Sequence, residues 1–167
     1  MSGFKHRRIT GPALALVLGG AAAGVLGAAP ANAMPNTVCP APGASSAVMD
    51  SGAGASCSAT SVGGAAAAAF GLGGEADADA GPTSLSLAIA QNGGSATSRS
   101  TFLSGPAAIA LGPGATVTTT GVRPGLAIGI AGAGADVELT GTTGPTCRGG
   151  LAFAGDFQTL QGCLSTQ

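Results

Sequence analysis

The sequence has almost none of the side chains on which most enzymes depend. It contains no tryptophan and no tyrosine, its one histidine is His6, and its one lysine is Lys5. Beyond residue 6, no Ser-His-Asp or Cys-His arrangement can therefore be built, and no lysine can form a Schiff base. Without tyrosine or tryptophan the chain also has few rings to stack on a sugar. We therefore expect a non-catalytic protein that needs no cofactor.

Charged residues are scarce, at 8% of the chain. Residues 34–167 keep three arginines, Arg99, Arg123 and Arg148, against seven carboxylates, which leaves a net charge of −4. Binding to a phosphate backbone is electrostatic, so this balance argues against a nucleic-acid partner.

Residues 1–33 have the layout of a secretory signal peptide. A basic head precedes an Ala- and Gly-rich apolar run over residues 13–29, and Ala31-Asn-Ala33 forms an A-x-A cleavage site. An uncleaved membrane anchor is the alternative, but Gly and Pro make the run weak as a span. We predict cleavage after Ala33, secretion to the extracellular space or cell wall, and no membrane partner afterwards. Arg7-Arg8 leaves the general and twin-arginine routes both open.

Four cysteines follow the predicted signal peptide: Cys39, Cys57, Cys147 and Cys163. An even number in an exported chain favours two disulfides over free thiols. Three connectivities are open. We favour Cys39–Cys57 and Cys147–Cys163, because each pair is local and lies at one end of the repeats described next.

A pattern of apolar, Ala, apolar, small residues occurs five times. Its central large residues are Phe70, Ile89, Ile109, Ile128 and Phe153, and most are about twenty residues apart. Such a period is typical of stacked repeats. Between them lie alternating stretches such as Ala76-Asp-Ala-Asp79, typical of strands with one buried face.

The repeats predict an all-β fold, a short β-solenoid of about five or six coils with disulfide-tied ends. Gly-rich corners, for example Asn92-Gly93-Gly94, separate the strands, and glycine accepts the positive φ of sharp corners. We expect Ala76, Ala78, Val117 and Val137 to face inward with one large Ile, Phe or Leu per strand, and Asp77, Asp79, Thr118 and Glu138 to face outward. Short helices and an Ala/Gly-rich disordered chain are the competing interpretations.

The predicted organisation has four parts. Residues 1–33 are the signal peptide, 34–46 a Pro-rich lead-in, 47–150 the solenoid repeats and 151–167 a C-terminal cap. Solenoids need such caps, because terminal coils would otherwise expose strand edges. Because exposed edges could pair with another copy of the chain, a homo-oligomer is one of the possible states.

Carboxylates supply the only candidate chemistry. Glu75, Asp77 and Asp79 alternate along one strand face, and oxygen clusters of this kind suit calcium, although we favour a solvated acidic face that keeps the protein soluble. Either of two pairs, Asp77 with Asp79 or Asp136 with Glu138, could supply the two carboxylates of a glycosidase-like site. A calcium-dependent binding module and, behind it, a carbohydrate-active enzyme are thus the alternatives to a non-catalytic protein.

Two resemblances add to these predictions. The signal peptide, Ala/Gly-rich body and paired terminal cysteines resemble those of small, uncharacterised exported proteins of actinobacteria. The segment Leu126-Ala127-Ile128-Gly129, followed by Gly132-Ala-Gly134-Ala135, resembles the head repeats of trimeric autotransporter adhesins, which implies a β-solenoid fold. We therefore expect a secreted structural or interaction protein of the cell envelope, with a cell-wall component or a host or other protein as its partner.

Overall fold

The computed structural model describes residues 36–43 and 46–167, and the predicted signal peptide, residues 1–33, lies outside the described residues. All regular elements of the described chain are strands. They are β1 (Asn36–Pro42), β2 (Ser46–Gly52), β3 (Ala55–Ser61), β4 (Ala66–Leu72), β5 (Glu75–Ala80), β6 (Leu85–Gln91), β7 (Ser95–Ser100), β8 (Ser104–Leu111), β9 (Thr116–Gly121), β10 (Gly125–Gly132), β11 (Asp136–Leu139), β12 (Thr146–Arg148), β13 (Leu151–Asp156) and β14 (Gln161–Thr166).

The strands form two seven-stranded sheets. Sheet A has the order β1-β4-β6-β8-β10-β13-β14, and sheet B has the order β2-β3-β5-β7-β9-β11-β12. From β3 to β11 the chain alternates between the sheets, and each strand pairs in parallel with the strand two positions later. This is a β-solenoid with two strands per turn.

The repeat period confirms the predicted fold class. Ser56 lies opposite Glu75, Glu75 opposite Ser95 and Ser95 opposite Thr116, so equivalent residues recur about every 20 positions. The parallel part has about four turns. It is shorter than five or six coils because β13, which contains the fifth apolar pattern, pairs antiparallel, as does β2 at the other end.

Antiparallel strands end both sheets. In sheet A, β1 pairs with β4 at one edge, and the β13–β14 hairpin lies beside β10 at the other. In sheet B, β2 and β12 occupy the edges. The reversal of direction ends the ladder of parallel turns at each end of the stack.

Alanine is the commonest residue of the core between the sheets. Ala69, Ala88 and Ala108 of sheet A and Ala76 and Ala78 of sheet B are at most 1% exposed. The alternation predicted for β5 is confirmed, since Ala76 and Ala78 point inward while Asp77 and Asp79 point outward. Val117 and Val137 are also buried, and Thr118 and Glu138 are exposed, as predicted.

The large residues of the repeat do not face the core, and that prediction was wrong. Ile89 and Ile109 alternate with fully buried alanines, so they lie on the outer face of sheet A and are only partly buried. The reason is steric, because a strand sends successive side chains to opposite faces. With sheets close enough for alanines to touch, the large partner of each alanine must lie outside.

The fourth repeat is also centred differently from the prediction. Ile109 lies opposite Ile130, whereas Ile128 lies opposite Ala107. Ile128 and Ile130 are two residues apart and therefore lie on the same face of β10, because side-chain direction along a strand has a period of two.

Gly129, like Gly71, is an inward-facing residue of sheet A that has no side chain. A Cβ built on Gly129 would lie 2.8 Å from Val117 Cγ1 and 3.0 Å from Val137 Cγ1. The larger valines of β9 and β11 therefore fill the space that alanine occupies in the earlier turns. The volume of the core layer is conserved although its residues change.

Serines form a hydrogen-bonded layer inside the stack. Ser86 Oγ donates to Ser98 O at 2.8 Å, and Ser98 Oγ donates to the carbonyl of Pro106 at 3.0 Å. Both serines are buried, so these bonds offset the cost of removing their hydroxyls from water.

The Gly-rich corners adopt the predicted backbone. Gly73, Gly93 and Gly134 have φ angles of 72°, 81° and 67°, in the left-handed region that costs residues with a Cβ free energy. Consecutive corners are joined by hydrogen bonds, such as the one that Gly93 N donates to Gly73 O. The corners thus stack as regularly as the strands.

Candidate functional site

The cysteines form the two favoured disulfides, Cys39–Cys57 and Cys147–Cys163. Cys39 is in β1 of sheet A and Cys57 in β3 of sheet B, whereas Cys147 is in β12 of sheet B and Cys163 in β14 of sheet A. Each disulfide therefore joins the two sheets at one end of the stack. Disulfides persist in oxidising compartments, so an extracellular location is consistent with the structure.

The acidic strand β5 displays its carboxylates in a row. Glu75, Asp77 and Asp79 all point away from the core, with Asp79 next to Arg99 of the neighbouring strand. Residues two apart along a strand are separated by about 6.6 Å. Among the described residues, no group of three or more His, Cys, Asp or Glu side chains is placed to hold a metal ion.

The second carboxylate pair has a similar arrangement. Asp136 and Glu138 are exposed residues of β11 on the outer face of sheet B, beside Thr116 and Thr118 of β9. They share a strand face but not a cleft. The calcium and glycosidase hypotheses stay predictions.

Two open grooves lie beside the first turn. The larger, of about 590 Å³, is lined mainly by corner residues including Gly52, Gly74 and Gly94, with Glu75 at its side. The second, of about 460 Å³, lies beside it between Met49 and Asp77. Three carboxylates, Asp50, Glu75 and Asp77, line the second groove.

The outer face of sheet A carries a continuous ladder of large apolar residues. In register, one from each strand, these are Val38, Phe70, Ile89, Ile109, Ile130, Phe153 and Leu164. Leu87, Leu126 and Leu151 also point outward from this sheet. We call the outward side chains of the sheet A strands the apolar face.

Much of the apolar face is open to solvent. Leu85, Leu126 and Leu151 are 60%, 62% and 67% exposed, and Leu164 is 69% exposed. A shallow depression of about 320 Å³ lies over Gly105 and Ala107, because these residues protrude less from the sheet than the surrounding leucines. Monomeric soluble proteins seldom expose contiguous apolar patches of more than a few hundred Å².

Charge is absent from the apolar face. Asp156 is the one charged residue in the strands of sheet A, and it lies at the end of β13. There its carboxylate accepts hydrogen bonds from Gln158 N and Thr159 Oγ1, both at 2.9 Å, within the turn that leads to β14. Its role in that turn keeps it apart from the ladder.

The two outer faces of the stack therefore differ sharply. Eight of the ten charged residues in the described chain lie in sheet B strands. They are Asp50, Glu75, Asp77, Asp79, Arg99, Asp136, Glu138 and Arg148. Serine and threonine occupy most of the remaining outward positions of sheet B, as in β3 and β9. One outer face is thus apolar and uncharged, and the other is polar and acidic.

Sequence reasoning missed the apolar face. The prediction placed alanine and one large Ile, Phe or Leu of each strand together in the core, although in β6 the neighbours Ala88 and Ile89 must face opposite sides. The size of the side chains could have shown which residues face the core. Ala69, Ala88 and Ala108 recur at equivalent positions, as a narrow core requires, while their neighbours are large.

A family model matches residues 4–166 of the sequence. The chain belongs to DUF6764, a family of unknown function. No curated protein and no solved structure matches the chain. The family assignment agrees with the expectation of an uncharacterised family, and the site must be interpreted from its own geometry.

Within the part of the chain that the structure describes, no helix is long and apolar enough to cross a membrane.

Proposed function

We propose that this chain is a secreted, non-catalytic structural or interaction protein of the cell envelope or extracellular space. The apolar face is the surface through which it binds its partner. The observation that carries the proposal is the absence of charge from the outward side chains of sheet A, over seven strands. A soluble protein gains nothing from leaving such a surface bare, whereas a partner gains the free energy of burying it.

The two disulfides support the location. Each joins the sheets at one end, so the stack stays closed at both ends in an oxidising environment. The polar face with its surplus of carboxylates supports the role, because it keeps the opposite side hydrated while the apolar face is covered. The signal peptide predicted at residues 1–33 would deliver the chain there.

Secretion is tested by the mass of the native protein. The protein is recovered from the envelope and culture medium of the cells that make it, and its intact mass is measured without reduction. We expect the mass of residues 34–167 with two disulfides formed. A mature protein that keeps residues 1–33, or that is found only in the cytoplasm, contradicts the proposed location.

The role of the apolar face is tested by retention at the envelope. Ile109→Lys places a charge in the middle of the ladder, and Thr118→Lys places the same charge at an exposed position of β9 on the other face. We expect Ile109→Lys to release most of the protein into the medium and Thr118→Lys to leave its distribution unchanged. Equal distributions of all three proteins would contradict a working role for the apolar face.

A further inference from the structure

We propose that the apolar face is an interface between two copies of this chain, which pack sheet A against sheet A across a two-fold axis. The proposal deepens the proposed function, on which it rests, by naming the partner of the same surface, so that the envelope retains the dimer and a variant that separates the two copies is released. The result is a stack of four sheets in the order B, A, A, B. Its argument depends on area, on charge and on the relief of the face.

The area of the face matches the need of a stable dimer. Seven strands about 4.8 Å apart make sheet A about 30 Å wide, and the outward residues extend about 20 Å along each strand. Specific interfaces bury about 800 Å² of accessible surface on each partner. The outline of the face is roughly 600 Å², and its protruding side chains raise the accessible surface towards the required value, so that one symmetric partner can cover it.

The charge distribution permits this contact. The described chain carries its charges mainly on sheet B, and the ladder itself has none. In a face-to-face dimer, with sheets about 10 Å apart, the two acidic faces lie about 30 Å from each other. This separation exceeds the Debye length of about 8 Å at physiological ionic strength, so the negative charges of the copies are screened.

The same distribution argues against a lipid surface as the occupant. Proteins that lie on membranes usually surround their apolar residues with Lys and Arg, which bind anionic headgroups. Described cations near sheet A are limited to Arg123, in the corner before β10, and residues 34–167 are acidic overall. A second copy needs no basic rim.

The relief of the face is suited to a symmetric contact. The depression over Gly105 and Ala107 is bordered by Leu85, Leu87 and Leu126, of which Leu85 and Leu126 are more than half exposed. A two-fold axis near this depression would bring protruding leucines of one copy beside the depression of the other. Shape matching of this kind gives interfaces packing like that of a protein interior.

The test is the oligomeric state of the protein purified from its own host with its disulfides oxidised. Sedimentation velocity across roughly 1 to 500 μM gives the dissociation constant of the dimer. We expect a reversible dimer in the wild type. In Ile109→Lys, the charge enters the interface twice, once from each copy, and we expect the dissociation constant to rise at least about 100-fold.

Thr118→Lys is the matched control, because it adds the same charge on the opposite face. We expect its dissociation constant to stay within about threefold of the wild type. Leu87→Lys is a second variant of the apolar face, used if Ile109→Lys loses its cooperative melt. The proposal is supported if both apolar-face variants abolish the dimer and the control variant retains it.

A monomer at every concentration would overturn it, whether or not residues 1–33 remain attached. A dimer weakened by Thr118→Lys but not by the apolar-face variants would overturn it equally. A monomer that floats with anionic phospholipid vesicles would assign the face to lipid instead. In each of these cases, retention at the envelope that still depends on Ile109 would leave the proposed function standing with a different partner.

Discussion

Small side chains determine how closely the two sheets approach. Ala88 and Ala108 in sheet A have no exposed surface, and Ala78 in sheet B is 1% exposed. Because protein interiors are packed at near-crystalline density, a layer of alanines brings the sheets closer than a layer of leucines would. Each enlarged side chain in this layer must push the sheets apart or leave the core.

Gly129 is a position of this layer at which even one added methyl group would collide with the opposite sheet. Gly129→Ala would place a Cβ 2.8 Å from Val117 Cγ1, closer than real contacts allow. We expect a loss of about 1–3 kcal/mol in the free energy of unfolding, as for other overpacked cores. Urea unfolding followed by circular dichroism measures it.

Gly52→Ala is the control for this substitution. Gly52 ends β2, and a Cβ there would meet no atom within 4 Å. Alanine reduces the entropy of the unfolded chain, so stability should be unchanged or rise by up to about 1 kcal/mol. Relief of the Gly129→Ala defect by Val117→Ala would confirm the contact, whereas equal effects of the two glycine substitutions would contradict it.

At the scale of single residues, the sequence predicted that side chains alternate between the two faces of each strand. It did not predict which residues of sheet A face the core. In β5, aspartate alternates with alanine, so polarity alone identifies the inward residues and the prediction was confirmed. In β6, Leu87 and Ala88 are both apolar, and hydropathy cannot tell them apart. The choice depends on the distance between the sheets, which no single strand encodes.

At the scale of elements, the corners and the disulfides hold the strands in register. Stacked corners repeat the same hydrogen bonds, such as Gly134 N to Pro113 O at 3.0 Å. Each disulfide then fixes one end of sheet A to sheet B. The end strands need this most, because β1 and β14 have a strand on only one side.

Removal of either disulfide should destabilise the fold. For Cys39→Ala/Cys57→Ala and Cys147→Ala/Cys163→Ala we expect losses of about 2–4 kcal/mol each, from the entropy gained by the unfolded chain. The first pair should cost more, because Cys39 and Cys57 are at most 4% exposed and their sulfurs also fill core volume. Urea unfolding with and without reductant compares them.

The wild-type protein measured under reducing conditions serves as the reference for both disulfide variants. If both disulfides act as described, reduction should cost about as much as the two substitutions together, since their sites are far apart. A reduced protein that unfolds at the same urea concentration as the oxidised one would contradict the account of the ends.

Elements were largely predictable because their signals are local. Glycine, proline and asparagine identified corners such as Asn92-Gly93-Gly94, and even spacing identified the strands between them. The direction of the C-terminal end strand was not predictable, since β13 carries the same apolar pattern as the repeats. Whether such a strand continues the parallel ladder depends on the length and path of the connection, not on its own residues.

At the scale of the whole molecule, the stack resembles a β-sandwich in which the outer face of one sheet, sheet A, is apolar and uncovered. Sheet B has the expected arrangement, with alanine and valine inward and polar side chains outward. Sheet A has apolar side chains on both faces, which is typical of a sheet between two layers. The proposed dimer gives sheet A its second layer.

The central claim is that sheet A places alanine inside and its large residues outside. The measurement that tests it most directly is the thermal melt of Ala108→Asp and Ile109→Asp, two neighbours in β8 given the same charge. Followed by far-ultraviolet circular dichroism in dilute solution, Ile109→Asp should keep a cooperative transition, and Ala108→Asp should lose it, because an unpaired carboxylate cannot be buried between the sheets. A cooperative melt for Ala108→Asp and none for Ile109→Asp would contradict the account.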